Sequence, residues 1–199
     1  MYSIEKLQSL EQQFGSPIYL FREEDFVKNY KEFVACFNKY YSKYQLAYSY
    51  KTNYTPTICK LVKSLGGYAE VVSDMEYSVA RAIGYAPCQI VYNGPFKKEL
   101  AKESLLNGGI INVDNLEELK RICKTADENP NKNLEIGIRV NINIGQHFIS
   151  RFGIDSDSPD LQKAFDMVAA VKNLEVVGLH CHVGQSRTVK AWSNRATIM

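Results

Sequence analysis

Residues 176–183 read V-V-G-L-H-C-H-V, and the alternation in this stretch decides the fold. In a strand, successive side chains point to opposite faces of the sheet. One set here is apolar and suits a face covered by helices: Val177, Leu179, Cys181 and Val183. The other set is small or polar: Gly178, His180 and His182. This combination is typical of a strand in a parallel barrel, whose outer face packs on helices and whose inner face lines the axis.

The segment 135–141, E-I-G-I-R-V-N, alternates in the same way. Its outward set is Ile136, Ile138 and Val140, and its inward set is Glu135, Gly137, Arg139 and Asn141. At 46–51 the inward set is Ala47, Ser49 and Lys51, provided that Leu46, Tyr48 and Tyr50 take the helix side. The same parity makes inward candidates of Glu70, Asn93, Asn112 and Asp114. Each strand thus offers a polar side chain toward its carboxyl end, where barrel enzymes build their active sites.

Short β-branched or aromatic runs alternate with amphipathic helical stretches along the chain, which predicts an α/β fold with parallel strands. Strands are predicted near 17–21, 46–50, 69–73, 90–93, 110–113, 135–141 and 176–183. Helix starts are marked by Thr55 before Pro56, by Ser73 with Glu76, and by Asn115 with Glu118. We expect a TIM-type (β/α)8 barrel that is incomplete, because about six of the eight units can be identified. An open, doubly wound sheet that binds nucleotides is the alternative, but neither GxGxxG nor GxxxxGK[ST] occurs.

Composition excludes several classes of function. Of the 199 residues, 45% are hydrophobic and 23% are charged, and the formal net charge of +2 is scattered along the chain. Neither nucleic-acid nor membrane binding is indicated, and no metal site is predicted. The five cysteines are odd in number and show no CxxC spacing, which favours a reducing compartment. The N-terminus lacks the pattern of a signal peptide. We therefore expect a cytoplasmic protein.

Lys51 is the residue whose type and position most clearly indicate a chemical role. A lysine at the inward end of an early strand can form an imine with a carbonyl compound. Arg139 and His182 also end apolar strands, where a charged or imidazole side chain is costly without partners or a task. The competing interpretation is that these residues are solvent-facing loop positions. Spacing alone supports only a barrel enzyme with a Lys, Arg and His site.

Local sequences identify a family. Residues 46–53, L-A-Y-S-Y-K-T-N, resemble the Y-A-x-K-x-N stretch of the fold-type III pyridoxal phosphate enzymes, which include the diaminopimelate and ornithine decarboxylases and share an alanine racemase-like barrel. Further stretches resemble this family in the family's order: 15–19, G-S-P-I-Y; 66–76, G-G-Y-A-E-V-V-S-D-M-E; 137–141, G-I-R-V-N; 150–154, S-R-F-G-I; and 177–184, V-G-L-H-C-H-V-G. The resemblance covers nearly the whole chain.

The resemblance implies roles for individual residues. Lys51 would form the Schiff base with pyridoxal 5′-phosphate, His182 would stack on the cofactor ring, and Arg139 would contact its phenolic oxygen. Glu70, which replaces a more usual aspartate, and Glu76 match positions that line the cofactor site. The loop after His182 departs from the family's H-I-G-S-Q, so the phosphate contact is assigned jointly to Gly184, Gln185 and Ser186.

The family also implies parts that this chain does not contain. These are a glycine-rich phosphate loop, a carboxylate that pairs with the pyridine nitrogen, and a C-terminal β-domain. We expect residues 1–22 to be an N-terminal segment with a strand that pairs with that domain, and residues 23–199 to be a partial cofactor-binding barrel. The expected activity is decarboxylation of an amino acid of the diaminopimelate, ornithine or lysine type, by a homodimer when full length. An amino acid racemase of the same fold, a non-catalytic cofactor-binding protein and an inactive fragment are the alternatives.

Overall fold

A computed structural model describes residues 2–142, 150–182, 184 and 188–198. The chain divides into two compact units, 1–44 and 45–199. The first unit holds two helices, α1 (Ile4–Phe14) and α2 (Glu23–Tyr40). Helix α1 begins where the Ser3 hydroxyl accepts the backbone N–H of Lys6 at 3.3 Å, which satisfies one donor that the helix leaves open. No helix in the described ranges is long and apolar enough to cross a membrane.

The second unit alternates strands and helices. Its elements are β1 (Ala47–Ser49), α3 (Pro56–Ser64), β2 (Tyr68–Val71), α4 (Asp74–Ile83), a 3-10 turn (Pro87–Gln89), β3 (Ile90–Tyr92), α5 (Glu99–Leu106), β4 (Ile110–Val113), α6 (Leu116–Asp127), β5 (Leu134–Asn141), β6 (Ile154–Asp155), α7 (Pro159–Ala169), β7 (Leu174–His180) and α8 (Val189–Ile198). Six of these strands lie where the alternation predicts them, with boundaries that differ by a few residues. The short strand β6 was not predicted.

The strands form one parallel sheet. Hydrogen-bonded neighbours run in the order β1-β2-β3-β4-β5-β7, and β6 pairs with the last residues of β5. Among the described strands, β1 pairs only with β2 and β7 only with β5, so the cylinder is not closed. The α/β class and the incomplete barrel are therefore confirmed. Because all strands are parallel, their carboxyl ends share one edge of the sheet.

The core lies between the sheet and the helices. The strand side chains on this side are at most 1% exposed and come from the predicted outward parity: Ala69, Val71, Ile90, Tyr92, Ile111, Val113, Ile136 and Ile138. They pack in one cluster with helix residues such as Tyr77, Leu105 and Leu119. We call this the helix face and the opposite side the polar face. The polar face carries the candidate site.

Two helices begin with the predicted capping chemistry. The N–H of Glu76 donates to Ser73 Oγ at 3.2 Å, and the N–H of Glu118 donates to Asn115 Oδ1 at 2.9 Å. In a standard capping box each glutamate would reach back to the N–H of the cap residue. Here each carboxylate instead accepts the N–H one residue earlier, from Val72 and Asp114, both at 2.8 Å.

Two details of the predicted strands need correction. Residues 17–21 form no strand: they pair with none of the described strands, and a strand needs such a partner for its backbone groups. The assignment of residues 1–22 to a separate segment stays a prediction. In β7, a register shift opposite Ile136 and Gly137 makes Val177 an extra residue, 56% exposed, rather than a member of the packed outward set.

Candidate active site at the carboxyl edge of the sheet

Lys51 lies two residues beyond the end of β1, at the carboxyl edge of the sheet, with an exposed side chain. The preceding residue, Tyr50, is completely buried on the helix face beside Cys59 of α3. Tyr48 packs against the same core cluster, so these two of the three bulky residues take the helix side as expected. The amine of Lys51 is therefore left outside the core, accessible to a ligand.

A row of hydrogen-bonded side chains crosses the polar face from β2 to β4. Asn93 Nδ2 donates to Glu70 Oε1 at 3.0 Å, and Asn112 Nδ2 donates to Asn93 Oδ1 at 2.6 Å. Glu70, Asn93 and Asn112 come from three neighbouring strands or their ends, as the parity predicts. Each side chain in the row is oriented by the next one, which fixes this part of the site before any ligand binds.

Two glycines keep the polar face open on the next two strands. Gly137 of β5 pairs in register with Gly178 of β7. A Cβ at Gly137 would lie 1.9 Å from Asn112 Oδ1, so any side chain there would displace the row. A Cβ at Gly178 would meet nothing within 4 Å, so this position borders open space.

Arg139 of β5 is buried and held from two sides. Its Nη1 donates to Asp114 Oδ1 at 2.9 Å, and the two side chains are only 9% and 5% exposed. Its guanidinium carbon lies 5.1 Å from the centre of the Phe152 ring, a favourable cation–π distance. A Cβ at Gly153, which has φ +84°, would come within 3.1 Å of Arg139 Cγ. The 150–154 turn thus packs directly on this arginine.

Two imidazoles follow, one at the end of β7 and one just beyond it. His180 pairs in register with Arg139, so the two side chains share the polar face. Burial, then the charges of Arg139, His182 and Lys97, lower the pKa of His180 from 6.5 to about 4. His180 is therefore neutral near pH 7. His182 lies two residues beyond the strand and is exposed.

The carboxylate of Glu76 lies close to the Lys51 end of the site. Burial raises the pKa of Glu76; the hydrogen bond from Val72 N–H lowers it, the neighbouring Glu70 raises it, and Lys51 lowers it. Lys51, Glu70 and Glu76 are thus electrostatic neighbours. The predicted phosphate loop can be followed only in part: Gly184 is exposed, while Gln185 and Ser186 lie outside the described residues.

A second ion pair, which side-chain alternation does not predict, lies beneath the site. Lys97, in the loop between β3 and α5, lies 2.8 Å from Glu118 Oε1, and the side chains are 2% and 4% exposed. Glu118 was recognised only for its capping role. Lys97 follows Gly94-Pro95-Phe96 in a stretch typical of a surface turn, and nothing in its spacing indicates burial.

The polar face therefore combines an exposed amine, a fixed guanidinium, two imidazoles and a carboxylate. An amine reacts with an aldehyde, a guanidinium binds an oxyanion, and a neutral imidazole can lie against a flat ring. The open space at Gly178 leaves room for a ligand on the same face. These donors fit a flat, anionic aromatic aldehyde. Lys51 and Arg139 lie beside β1 and in β5, so a ligand that contacts both must span several strands.

Comparison with protein families agrees with this chemistry. The family described as "Pyridoxal-dependent decarboxylase, pyridoxal binding domain" matches residues 23–196, which is most of the chain.

Individual relatives give the same result. The chain is 31% identical to a diaminopimelate decarboxylase of Methanocaldococcus jannaschii, over 90% of this chain and 44% of that protein. It is 32% identical to a diaminopimelate decarboxylase of Aquifex aeolicus, over 89% of this chain and 43% of that protein. The crystal structure of the M. jannaschii diaminopimelate decarboxylase with L-lysine superposes with a TM-score of 0.79 at 30% identity and covers 92% of this chain and 46% of that one. The chain spans less than half the length of these relatives.

Proposed function

This chain belongs to the pyridoxal-dependent decarboxylase family, and on that premise we propose that it is the cofactor-binding part of an enzyme that removes the α-carboxylate of a diamino acid. The cofactor is pyridoxal 5′-phosphate. The substrate class follows the relatives, which are named diaminopimelate decarboxylases. One observation carries the proposal. Lys51 and His182 follow strands, Arg139 lies two residues before the end of β5, and these residues, far apart in sequence, are at the same edge of one parallel sheet.

Four side chains would hold the cofactor. Lys51 Nζ would make the covalent link, because its amine is accessible. Arg139 would bind the phenolic oxygen, since Asp114 and Phe152 already fix its guanidinium. The His182 imidazole would cover one face of the ring. Glu70 would line the site from β2, where Asn93 orients its carboxylate.

When bound, pyridoxal phosphate supplies an electron sink for the carbanion left at the substrate α-carbon. The protein's part is to orient, neutralise and exclude water. Arg139 is held in one orientation on the polar face because it is paired with the buried Asp114. His180, neutral beside Arg139, adds no second cation there. Glu76 lies near enough to Lys51 for the charge of the lysine to lower the pKa of the Glu76 carboxyl.

The covalent link is tested by adding pyridoxal phosphate to the 199-residue chain and recording the imine absorbance. Borohydride reduction and mass spectrometry then locate the modified lysine. We expect the label on Lys51 and loss of the absorbance in Lys51→Ala. Lys60→Ala, an exposed lysine on α3, is the matched control and should behave like the wild type. Labelling spread over several lysines, or retained in Lys51→Ala, would contradict the proposal.

The reaction itself is tested on the protein in its full encoded length. Release of carbon dioxide from diaminopimelate, ornithine or lysine supports decarboxylation. Loss of optical activity without carbon dioxide supports the racemase alternative. The names of the relatives favour decarboxylation.

The arrangement of domains and subunits also belongs to the proposal. Residues 1–22 would form a segment that serves a C-terminal β-domain, and residues 23–199 the partial barrel; the family match that begins at residue 23 supports this boundary. A cytoplasmic homodimer remains the expected state of the full-length enzyme, and sedimentation of that enzyme would measure its oligomeric state.

A further inference from the structure

Four charged side chains form a buried network beneath the polar face: Lys97, Glu118, Asp114 and Arg139. The side chains of the Lys97–Glu118 pair are 2% and 4% exposed, and those of the Arg139–Asp114 pair are 9% and 5% exposed. The charges sum to zero. Only Arg139 has an assigned role in the proposed function.

Lys97 makes two hydrogen bonds and one ion pair. Its Nζ donates to Gly94 O at 2.6 Å and to Asn112 O at 2.7 Å. Glu118 Oε1 lies 2.8 Å from Nζ as the ion-pair partner. Burial lowers the pKa of Lys97, while its attraction to Glu118 raises it. Lys97 thereby ties the loop after β3 to the backbone of β4.

Glu118 connects this lysine to the site. One carboxylate oxygen contacts Lys97, and the other accepts the backbone N–H of Asp114 at 2.8 Å. Asp114 in turn binds Arg139 through Oδ1 at 2.9 Å. Movement of Glu118 would therefore shift the backbone of Asp114, and Arg139 would lose the geometry of its anchor.

Stability alone is a weak explanation for this arrangement. Burying charges is costly, and buried ion pairs can often be replaced by apolar residues of similar volume without loss of stability. A group that must be held in one orientation gives a better reason. Arg139 is that group, because it is the one of these four side chains that would contact the cofactor.

We propose that Lys97 and Glu118 are positioning residues that fix Asp114 and, through it, aim the Arg139 guanidinium at the phenolic oxygen of the cofactor. This inference rests on the proposed function. It adds two residues that do not touch the cofactor but determine how selectively it is bound. It also makes a prediction about ligand discrimination that a purely structural role does not make.

The test compares two ligands, pyridoxal phosphate and its 3-O-methyl derivative, whose phenolic oxygen carries no charge. Binding of each is measured by fluorescence titration, without turnover. We expect the wild-type chain to prefer pyridoxal phosphate by about tenfold, the effect of one charge-assisted hydrogen bond. Arg139→Met should abolish this preference. The double variant Lys97→Met with Glu118→Met, which leaves no lone buried charge, should also reduce it to near unity.

Lys102→Met is the matched control. Lys102 pairs with Glu128 at 3.0 Å in an exposed lysine–glutamate pair, with side chains 46% and 45% exposed. It should keep the wild-type preference. Thermal unfolding of each variant confirms that it is folded. Lys97→Gln with Glu118→Leu, which also leaves no lone buried charge and no side-chain acceptor for Asp114 N–H, serves if the first double variant does not fold.

The outcomes separate the two proposals. A positioning variant that is folded and keeps the tenfold preference overturns the positioning role alone. Equal weakening of both ligands, with the ratio unchanged, does the same because it indicates a general structural role. A wild-type chain without any preference, or an Arg139→Met chain that keeps it, overturns the proposed Arg139 contact and the positioning role with it.

Discussion

Two junctions of the sheet are built alike and carry different electrostatics. The first junction, 70–76, leads from β2 to α4, and the second, 112–118, leads from β4 to α6. Each has a capping side chain, Ser73 or Asn115, followed three residues later by a buried glutamate. Each glutamate accepts the N–H of the residue before the cap at 2.8 Å.

The difference lies in the neighbours of the two glutamates. Glu118 has a buried lysine 2.8 Å away, whereas Glu76 has another carboxylate, Glu70, and the exposed Lys51 near it. Local sequence therefore sets the geometry of a junction, and residues brought from elsewhere set its charge. The second junction anchors the fixed Arg139, while the first lies near Lys51.

The largest expected effect is on stability at the second junction. Glu118→Leu leaves Lys97 buried without its carboxylate, and we expect a loss of about 3–5 kcal/mol in the free energy of unfolding. Glu76→Leu removes an acceptor from one N–H, which should cost about 1–3 kcal/mol. Urea unfolding measures both. Glu117→Leu, 74% exposed beside Glu118, is the control and should change stability by about 0.5 kcal/mol or less. Equal losses for Glu76→Leu and Glu118→Leu would remove the contrast between the junctions.

The next effect concerns the glycines packed against each junction. A Cβ at Gly94 would lie 1.9 Å from the backbone oxygen of Val72, which cannot move aside without distorting the first junction. At Gly137 the clash is with the Asn112 side chain, which can rotate. We expect Gly94→Ala to cost about 3 kcal/mol and Gly137→Ala about 1 kcal/mol.

Thermal unfolding measures these losses, and Gly178→Ala serves as the control because a Cβ there meets nothing within 4 Å. A Gly137→Ala chain less stable than Gly94→Ala would show that Asn112 is as rigid as backbone. In that case the row of side chains would be a structural support in its own right.

The two caps should respond equally. Ser73→Ala and Asn115→Ala each remove one acceptor from a helix N-terminus, and each should cost about 1 kcal/mol. Ser78→Ala, exposed within α4, is a control in which no cap is lost. Chemical denaturation of the three variants gives the comparison. Unequal losses of stability in the two variants would mean that the different charges near the two glutamates also affect the capping hydrogen bonds.

The junctions also show how far the sequence predicts the structure. Ser73 with Glu76 and Asn115 with Glu118 mark helix starts correctly because capping depends on residues three apart. Alternation along strands places Glu70, Asn93, Asn112 and Arg139 on one face because side-chain direction in a strand is equally local.

Tertiary partners are the part that spacing could not supply. In the sequence, Lys97 resembles an ordinary loop lysine. In the structure, its amine is surrounded by the backbone oxygens of Gly94 and Asn112 and by the Glu118 carboxylate. The strand predicted at 17–21 failed for the related reason that a strand depends on a partner from another part of the chain. The bulge at Val177 is likewise set by pairing with β5. Wherever the outcome depended on a neighbour distant in sequence, residue patterns alone were insufficient.

The smallest expected effect is a change in the pKa of Glu76 when Lys51 is removed. Lys51 lowers this pKa, so Lys51→Ala should raise it further above its usual range. A raised carboxyl pKa contributes stability below the unfolded-state value near 4.5, and that contribution is lost as pH rises through the folded-state value. The pH at which stability falls should therefore move upward in Lys51→Ala. Carboxyl-carbon NMR titration measures the shift at Glu76, with Lys60→Ala as the control. The pKa of Glu118 should not follow, because Lys97 and Asp114 are the charges that act on it. A shift of equal size at both glutamates would mean that the two junctions share one electrostatic environment after all.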